Sequence, residues 1–166
     1  IIPLMIFSSA MLFAAVWDLT TMTIPNRLTL IFALGFLFIH PISSLRLTQL
    51  ALHFAAGTAM LVVGMACFGF GWIGGGDAKL VAATALWIGW NDLLVYLLIA
   101  SIFGGGLTLL ILYFRSLPLP KILVRQNWLA RLHEQDAGIP YGLALAAGAL
   151  LMLPDTGWFK LASSLV

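Results

Sequence analysis

Two acidic side chains stand where acids are unexpected. Asp18 closes the charge-free run Ile1–Trp17, and Asp77 follows Gly74-Gly75-Gly76 at the head of another apolar stretch. Two carboxylates brought to one place cannot both ionise cheaply, so they share a proton. Such a pair can hydrolyse an amide: one carboxylate draws a proton from water while the other protonates the leaving nitrogen. Which acid does which belongs to the coupled pair, and the sequence leaves it open. Each residue also has a plainer role. Asp18 is compatible with a solvated helix end, and Asp77 with an N-cap that accepts hydrogen bonds from a first helical turn.

The glycines beside Asp77 favour the chemical role. Each costs a helix about 1 kcal/mol relative to alanine. In return, glycine takes unusual dihedrals and lets another chain come close. Irregular backbone at membrane depth is tolerated where it lines a wet cavity or is buried in protein. Gly74, Gly75 and Gly76 are therefore expected to border a watery site where an extended peptide can lie. Lys79, two residues beyond Asp77, either assists a carboxylate or substrate there, or snorkels to the headgroups.

The elements that position these groups must be membrane helices. Of 166 residues, 62% are hydrophobic and 8% charged, against about 25% charged in a soluble domain. So few charges exclude a soluble enzyme, a nucleic-acid binder and a disordered tail. A net charge of +2 is too small to attract a polyanion. One cysteine, Cys67, allows neither a disulfide framework nor a cysteine zinc site.

A span needs about 20 apolar residues, and six candidates emerge: Ile1–Trp17, Leu28–Ile42, Leu50–Phe70, Leu80–Trp90, Leu93–Phe114 and Gly138–Leu153. The first lacks a basic start and good cleavage chemistry, so it is taken as a retained span, not a signal peptide. Loops after spans one, three and five hold Arg27, Lys79, Arg115, Lys121, Arg125 and Arg131, whereas the opposite side holds Arg46 and Lys160. The positive-inside rule then makes those three loops cytoplasmic and both termini extracytoplasmic. From Asp77 to Asn91 a helix rises about 21 Å, short of the roughly 30 Å hydrocarbon core. Asp77 is thus expected below the cytoplasmic interface, and Asp18 at a similar level. Ser116-Leu117-Pro118-Leu119-Pro120 argues against a rigid continuation of the fifth span.

These residues resemble the type IV prepilin leader peptidases, intramembrane aspartic proteases of the Gly-x-Gly-Asp type. The resemblance lies in Gly74-Gly75-Gly76-Asp77-Ala78-Lys79, in Asp18 followed by Ile24-Pro25-Asn26-Arg27, and in Ile139-Pro140-Tyr141-Gly142 with Ala144, Ala146 and Gly148. It implies an all-α polytopic fold and a single peptidase domain over 1–166. Asp18 and Asp77 would be the catalytic pair, and Gly74 and Gly76 its supporting glycines. Gly75, Lys79, Pro25, Asn26, Pro140, Tyr141 and Gly142 are candidate supporting or substrate-binding residues. The implied activity is removal of a basic leader from pilin-like precursors, after a glycine, at the cytoplasmic face of the bacterial inner membrane. Larger members carry a methyltransferase segment with paired Cys-x-x-Cys motifs, which this sequence lacks. It looks like the short form of Flp/Tad-type pilus systems, with preflagellin peptidases as close relatives. No cofactor is expected. The expected partners are precursor proteins and membrane lipids, with a homodimer an open alternative.

Other signals are weaker. Gly69-Phe70-Gly71-Trp72-Ile73-Gly74 matches a dinucleotide fingerprint in letters but follows an apolar span, not a strand. His133-Glu134 begins a zinc-protease pattern whose second histidine position is Ala137. Gly138-x-x-x-Gly142 fits close helix packing. Tyr141 and most tryptophans suit membrane interfaces. Two rival classes use the same acids differently: a proton- or ion-coupled transporter with a buried carboxylate pair, and a non-catalytic membrane scaffold.

Overall fold

The computed structural model describes residues 2–39, 46–118 and 126–156. Among them the secondary structure is helical throughout: α1 (Ile2–Thr21), α2 (Asn26–Ile39), α3 (Leu47–Gly69), α4 (Gly75–Ile88), α5 (Trp90–Ser116), a short α6 (Asn127–His133) and α7 (Tyr141–Met152), which ends in a 3-10 turn at Leu153–Asp155. Three of these, α1, α3 and α5, are long and apolar enough to cross a membrane, while α2 and Tyr141–Asp155 are shorter apolar helices. Large apolar side chains cover the outside, among them Leu12, Ile31, Phe38, Val62, Leu94, Ile102 and Leu110. Water would not tolerate so extensive a patch, whereas lipid favours it.

The short α4 is the axis of the bundle. Nine of its 14 residues are buried, so it is apolar on all sides, as a helix enclosed by others must be. It packs most extensively on α3 and also on α2 and α7, while α7 bridges α1 and α5. Gly64 of α3 lies so close to α4 that a Cβ there would sit 3.1 Å from Ala78 Cβ, the small-residue contact that brings membrane helices together. Deeper in the bundle, Trp87 stacks on Phe32 with ring centroids 5.1 Å apart, and its Nε1 donates to the Phe32 carbonyl at 2.8 Å.

Both ends of α4 are made by glycine turns. After α3, Gly71 takes φ +74°. Its N–H donates to the Phe68 carbonyl and that of Trp72 to the Cys67 carbonyl, a Schellman motif that reverses the chain. At the other end Gly89 takes φ +83°, and a Cβ there would strike the His53 ring at 2.8 Å.

The helix boundaries differ from the sequence expectation in two informative ways. The first helix does not stop at Trp17 but continues to Thr21, so Asp18 lies inside its last turn. The hydroxyls of Thr20 and Thr21 bond back to the Val16 and Trp17 carbonyls, which extends the turn past the acid. The fourth helix begins at Gly75, not Leu80, and ends at Ile88. Asn91-Asp92, expected to close it, instead lie in the first turn of α5. Glycine content hid the start of α4, and one positive-φ residue sufficed for its end. The fifth helix stops at Ser116, ahead of the expected proline break. Lys121, Arg125 and Lys160, used in the topology argument, lie outside the described residues.

Candidate active site

Asp18 and Asp77 come to the same place. They border one cavity of about 320 Å³ with Met22, Thr23, Ile24, Gly74, Gly75 and Gly76. At about 30 Å³ per water, that space holds roughly ten waters or a short stretch of extended peptide. Asp18 is 4% exposed, and its Oδ2 accepts the Gly142 N–H at 2.7 Å. Asp77 occupies the third position of α4, after the N-cap Gly74. Its carboxylate folds back over Gly74, with Oδ2 2.8 Å from where a Cβ there would stand, and lines the same cavity as Asp18. Asp77 is therefore not the N-cap, the plainer role considered for it. Glycine takes that position because the acid from the first turn folds over it.

The glycine triplet works by what it lacks. Gly74 has ordinary extended dihedrals, φ −71° and ψ 145°, while Gly75 and Gly76 are helical. The expectation of irregular backbone here is thus corrected. A Cβ on Gly74 would lie 2.8 Å from Asp77 Oδ2, and one on Gly76 would lie 3.0 Å from Ile24 Cβ. Gly75 meets the Phe68 ring at 3.3 Å in the same sense. A side chain at Gly74 displaces the acid and one at Gly76 the Ile24 wall, whereas at Gly75 it is the exposed Phe68 ring that must shift.

Gly142 is the second residue of α7, and a Cβ there would be 2.7 Å from Asp18 Oδ2 and 2.8 Å from Ile24 Cδ1. Close packing, the role expected of it, is one part of its contribution, and donation to the acid is the other. Pro140 is buried and precedes α7 as its N-cap. Its rigid ring helps set the direction in which the amides of the first turn point. Tyr141 lies to one side: its hydroxyl is 3.2 Å from Thr108 Oγ1, and it lines a neighbouring groove that Asp77 also borders.

Lys79, Asn26 and Pro25, like Pro140, Tyr141 and Gly142, are not among the residues that line the cavity. Lys79 donates from Nζ to Asn26 Oδ1 at 2.8 Å. Both line a separate 450 Å³ hollow between α2, α3 and α4. They pin α4 to the start of α2. Pro25 accepts the Leu28 and Thr29 N–H groups through its carbonyl and so opens α2. From the Ile24-Pro25-Asn26 segment it is Ile24, 8% exposed, that reaches the cavity, wedged between Gly76 and Gly142. Sequence reasoning named Ile24 only as part of the Ile-Pro-Asn motif, without a role in the site, and gave Met22 and Thr23 none either. The signal available for Ile24 was an isolated apolar residue in a threonine-rich turn.

Behind the site, one cation at the end of α5 holds the end of α6 and the segment that leads into α7. Arg115 donates to the Leu132, Gln135, Ala137 and Gly138 carbonyls, and Arg131 donates to the Thr21 carbonyl at the end of α1. These two members of the expected basic loop are thus engaged with backbone carbonyls.

Compared with known families, residues 5–109 match the type IV leader peptidase family, well over half of the chain. The chain belongs to the type IV leader peptidase family. The matched stretch runs from α1 into α5 and contains both aspartates and the glycine triplet. The α7 residues that hold Asp18 lie beyond it. No match was found among curated proteins or among solved structures.

Proposed function

We propose that this protein is an intramembrane aspartic endopeptidase that removes the basic leader from type IV pilin-like precursors, with Asp18 and Asp77 as the catalytic pair. The reading rests on one observation: two acids 59 positions apart share a small cavity walled by glycines. In hydrolysis, the ionised carboxylate takes a proton from water as its oxygen attacks the carbonyl carbon of the scissile bond. The protonated carboxylate polarises the carbonyl oxygen. Collapse of the tetrahedral adduct then delivers a proton to the departing nitrogen, and the pair regains its single shared proton. The glycines leave room for an extended peptide beside Asp77, as helical substrate must unwind to expose the bond.

Six spans with both termini outside, and a catalytic cavity on the cytoplasmic side of the inner membrane, complete the proposal. The distribution of six Lys and Arg against two supports that orientation. Precursors of Flp/Tad-type pilus systems are the proposed substrates. The test is co-expression with a pilin precursor and, separately, a preflagellin. Wild-type protein shortens the pilin precursor, while Asp18→Asn and Asp77→Asn each accumulate in membranes yet leave it uncut. Normal processing by either variant removes that acid from the mechanism.

A further inference from the structure

Gly104, Gly105 and Gly106 stand in the middle of α5, away from the catalytic cavity. Glycine weakens a helix interior by about 1 kcal/mol relative to alanine, so three in succession need a reason. Gly104 has one within the chain, as a Cβ there would contact the Tyr141 ring at 3.5 Å. Gly105 has none: a Cβ would meet nothing within 4 Å. It opens onto a groove of about 780 Å³ lined by α3, α4, α5 and α7. The groove exists because α3 follows α4 closely but touches α5 only sparsely.

The walls of this groove suit an apolar guest. Met60, Val63, Val81, Leu97 and Leu109 line it, and the α5 hydroxyls are already engaged. Ser101 Oγ donates to the Leu97 carbonyl at 2.7 Å, and Thr108 Oγ1 to the Gly104 carbonyl at 2.8 Å. From Leu97 to Leu109 the α5 face extends about 18 Å, enough for three turns of a second helix. Small residues along such a face let two backbones approach. Asp77 borders both this groove and the catalytic cavity. A helix lying in the groove therefore ends beside the acid.

Resting on the proposed function, we infer that this groove seats the apolar helix of the precursor, packed against the Gly105 face of α5. The peptide bond that precedes the helix is thereby delivered to Asp77. The continuity of groove and cavity selects this occupant over lipid or a second copy of the chain, neither of which has reason to end at a carboxylate.

The test uses the full chain in membranes, with Cys67→Ala to remove the native thiol. A catalytically silent Asp18→Asn background carrying Gly105→Cys is mixed with precursors bearing single cysteines along the apolar helix, then oxidised. A disulfide to the precursor is expected, and none from Leu110→Cys, which stands 64% exposed on the outer face of α5. A disulfide between two copies of the chain in place of the precursor adduct, or no adduct, overturns the inference. In otherwise wild-type protein, Gly105→Leu fills the groove from open space and should slow precursor processing at least tenfold, with unchanged elution and melting. If wild type cuts the precursor, Asp18→Asn does not, and Gly105→Leu cuts at the wild-type rate, the groove assignment alone falls, leaving lipid as its occupant. If wild type leaves the precursor intact, the proposed function falls first.

Discussion

The backbone N–H of Gly142 donates to Asp18 Oδ2 at 2.7 Å, across 124 positions of sequence. The bond sets the amino end of α7 against one of the two acids. Free amides at a helix start, together with the helix dipole, form a natural seat for a carboxylate. It also gives α7 a task that its apolar composition does not announce: fixing the rotamer of Asp18 opposite Asp77.

Gly142→Ala should therefore impair the reaction more than the fold. Its Cβ would fall 2.7 Å from Asp18 Oδ2 and 2.8 Å from Ile24 Cδ1, so the acid must turn away from the amide. A hydrogen bond to a charged group contributes about 1.5–3 kcal/mol, which corresponds to a loss of tenfold or more in processing rate. Time courses of precursor cleavage, normalised to membrane-inserted protein, measure it. A wild-type rate would show that the contact does not position Asp18.

Gly74→Ala and Gly76→Ala should separate two effects. The first meets only the end of the Asp77 side chain, at 2.8 Å, and the second meets Ile24 at both Cβ and backbone N. Gly74→Ala is expected to lower activity at least tenfold with a melting temperature within a few degrees of wild type. Gly76→Ala should lower both, because backbone cannot swing aside as a carboxylate can. Thermal unfolding in detergent alongside the cleavage assay distinguishes them, and equal stability loss in both would refute the assignment.

Arg115 should resist conservative replacement. Its planar fork serves the Leu132 carbonyl of α6 and three carbonyls of the loop leading into α7, a pattern that the ammonium of lysine cannot copy. Arg115→Lys and Arg115→Leu should both destabilise by about 1.5–3 kcal/mol and speed amide hydrogen exchange between residues 134 and 142. Unaltered exchange there would mean that the loop is held by something else.

Lys79 and Asn26 should behave as a fastening, not as catalysts. Lys79→Met and Asn26→Leu are each expected to keep processing within threefold of wild type. A double-mutant cycle on stability should return a coupling of about 0.5–1.5 kcal/mol, the usual size for one hydrogen bond. Abolished cleavage in Lys79→Met with intact folding would place that ammonium in the reaction.

Much of the site was legible from residue type and spacing. Asp18 and Asp77 stood out because an acid among apolar residues is costly unless it has work or a partner, and both proved to line one cavity. The triplet Gly74–Gly76 was marked by the same logic. The triplet does border the cavity, but its dihedrals are ordinary, and its use is the space a Cβ would occupy. Lys79 and Asn26 looked like site residues because they flank the acids in sequence. On a helix, though, Lys79 lies about 200° around the axis from Asp77, so it faces another hollow. Ile24 was read only as part of a motif, because an apolar side chain announces no chemistry and its place between Gly76 and Gly142 is a tertiary contact.

Composition and the order of apolar runs determined that this chain is helical and lipid-facing, because too few charges exist to cover it with a water-compatible surface. They also determined which two carboxylates have to be explained. Only the tertiary structure decided that those carboxylates meet, that Gly142 holds one of them, and that Lys79 does not belong with them. Periodicity along a helix specifies what shares a face. Which faces of α1, α4 and α7 turn toward one another is decided by side-chain volumes, and above all by the places where glycine leaves none.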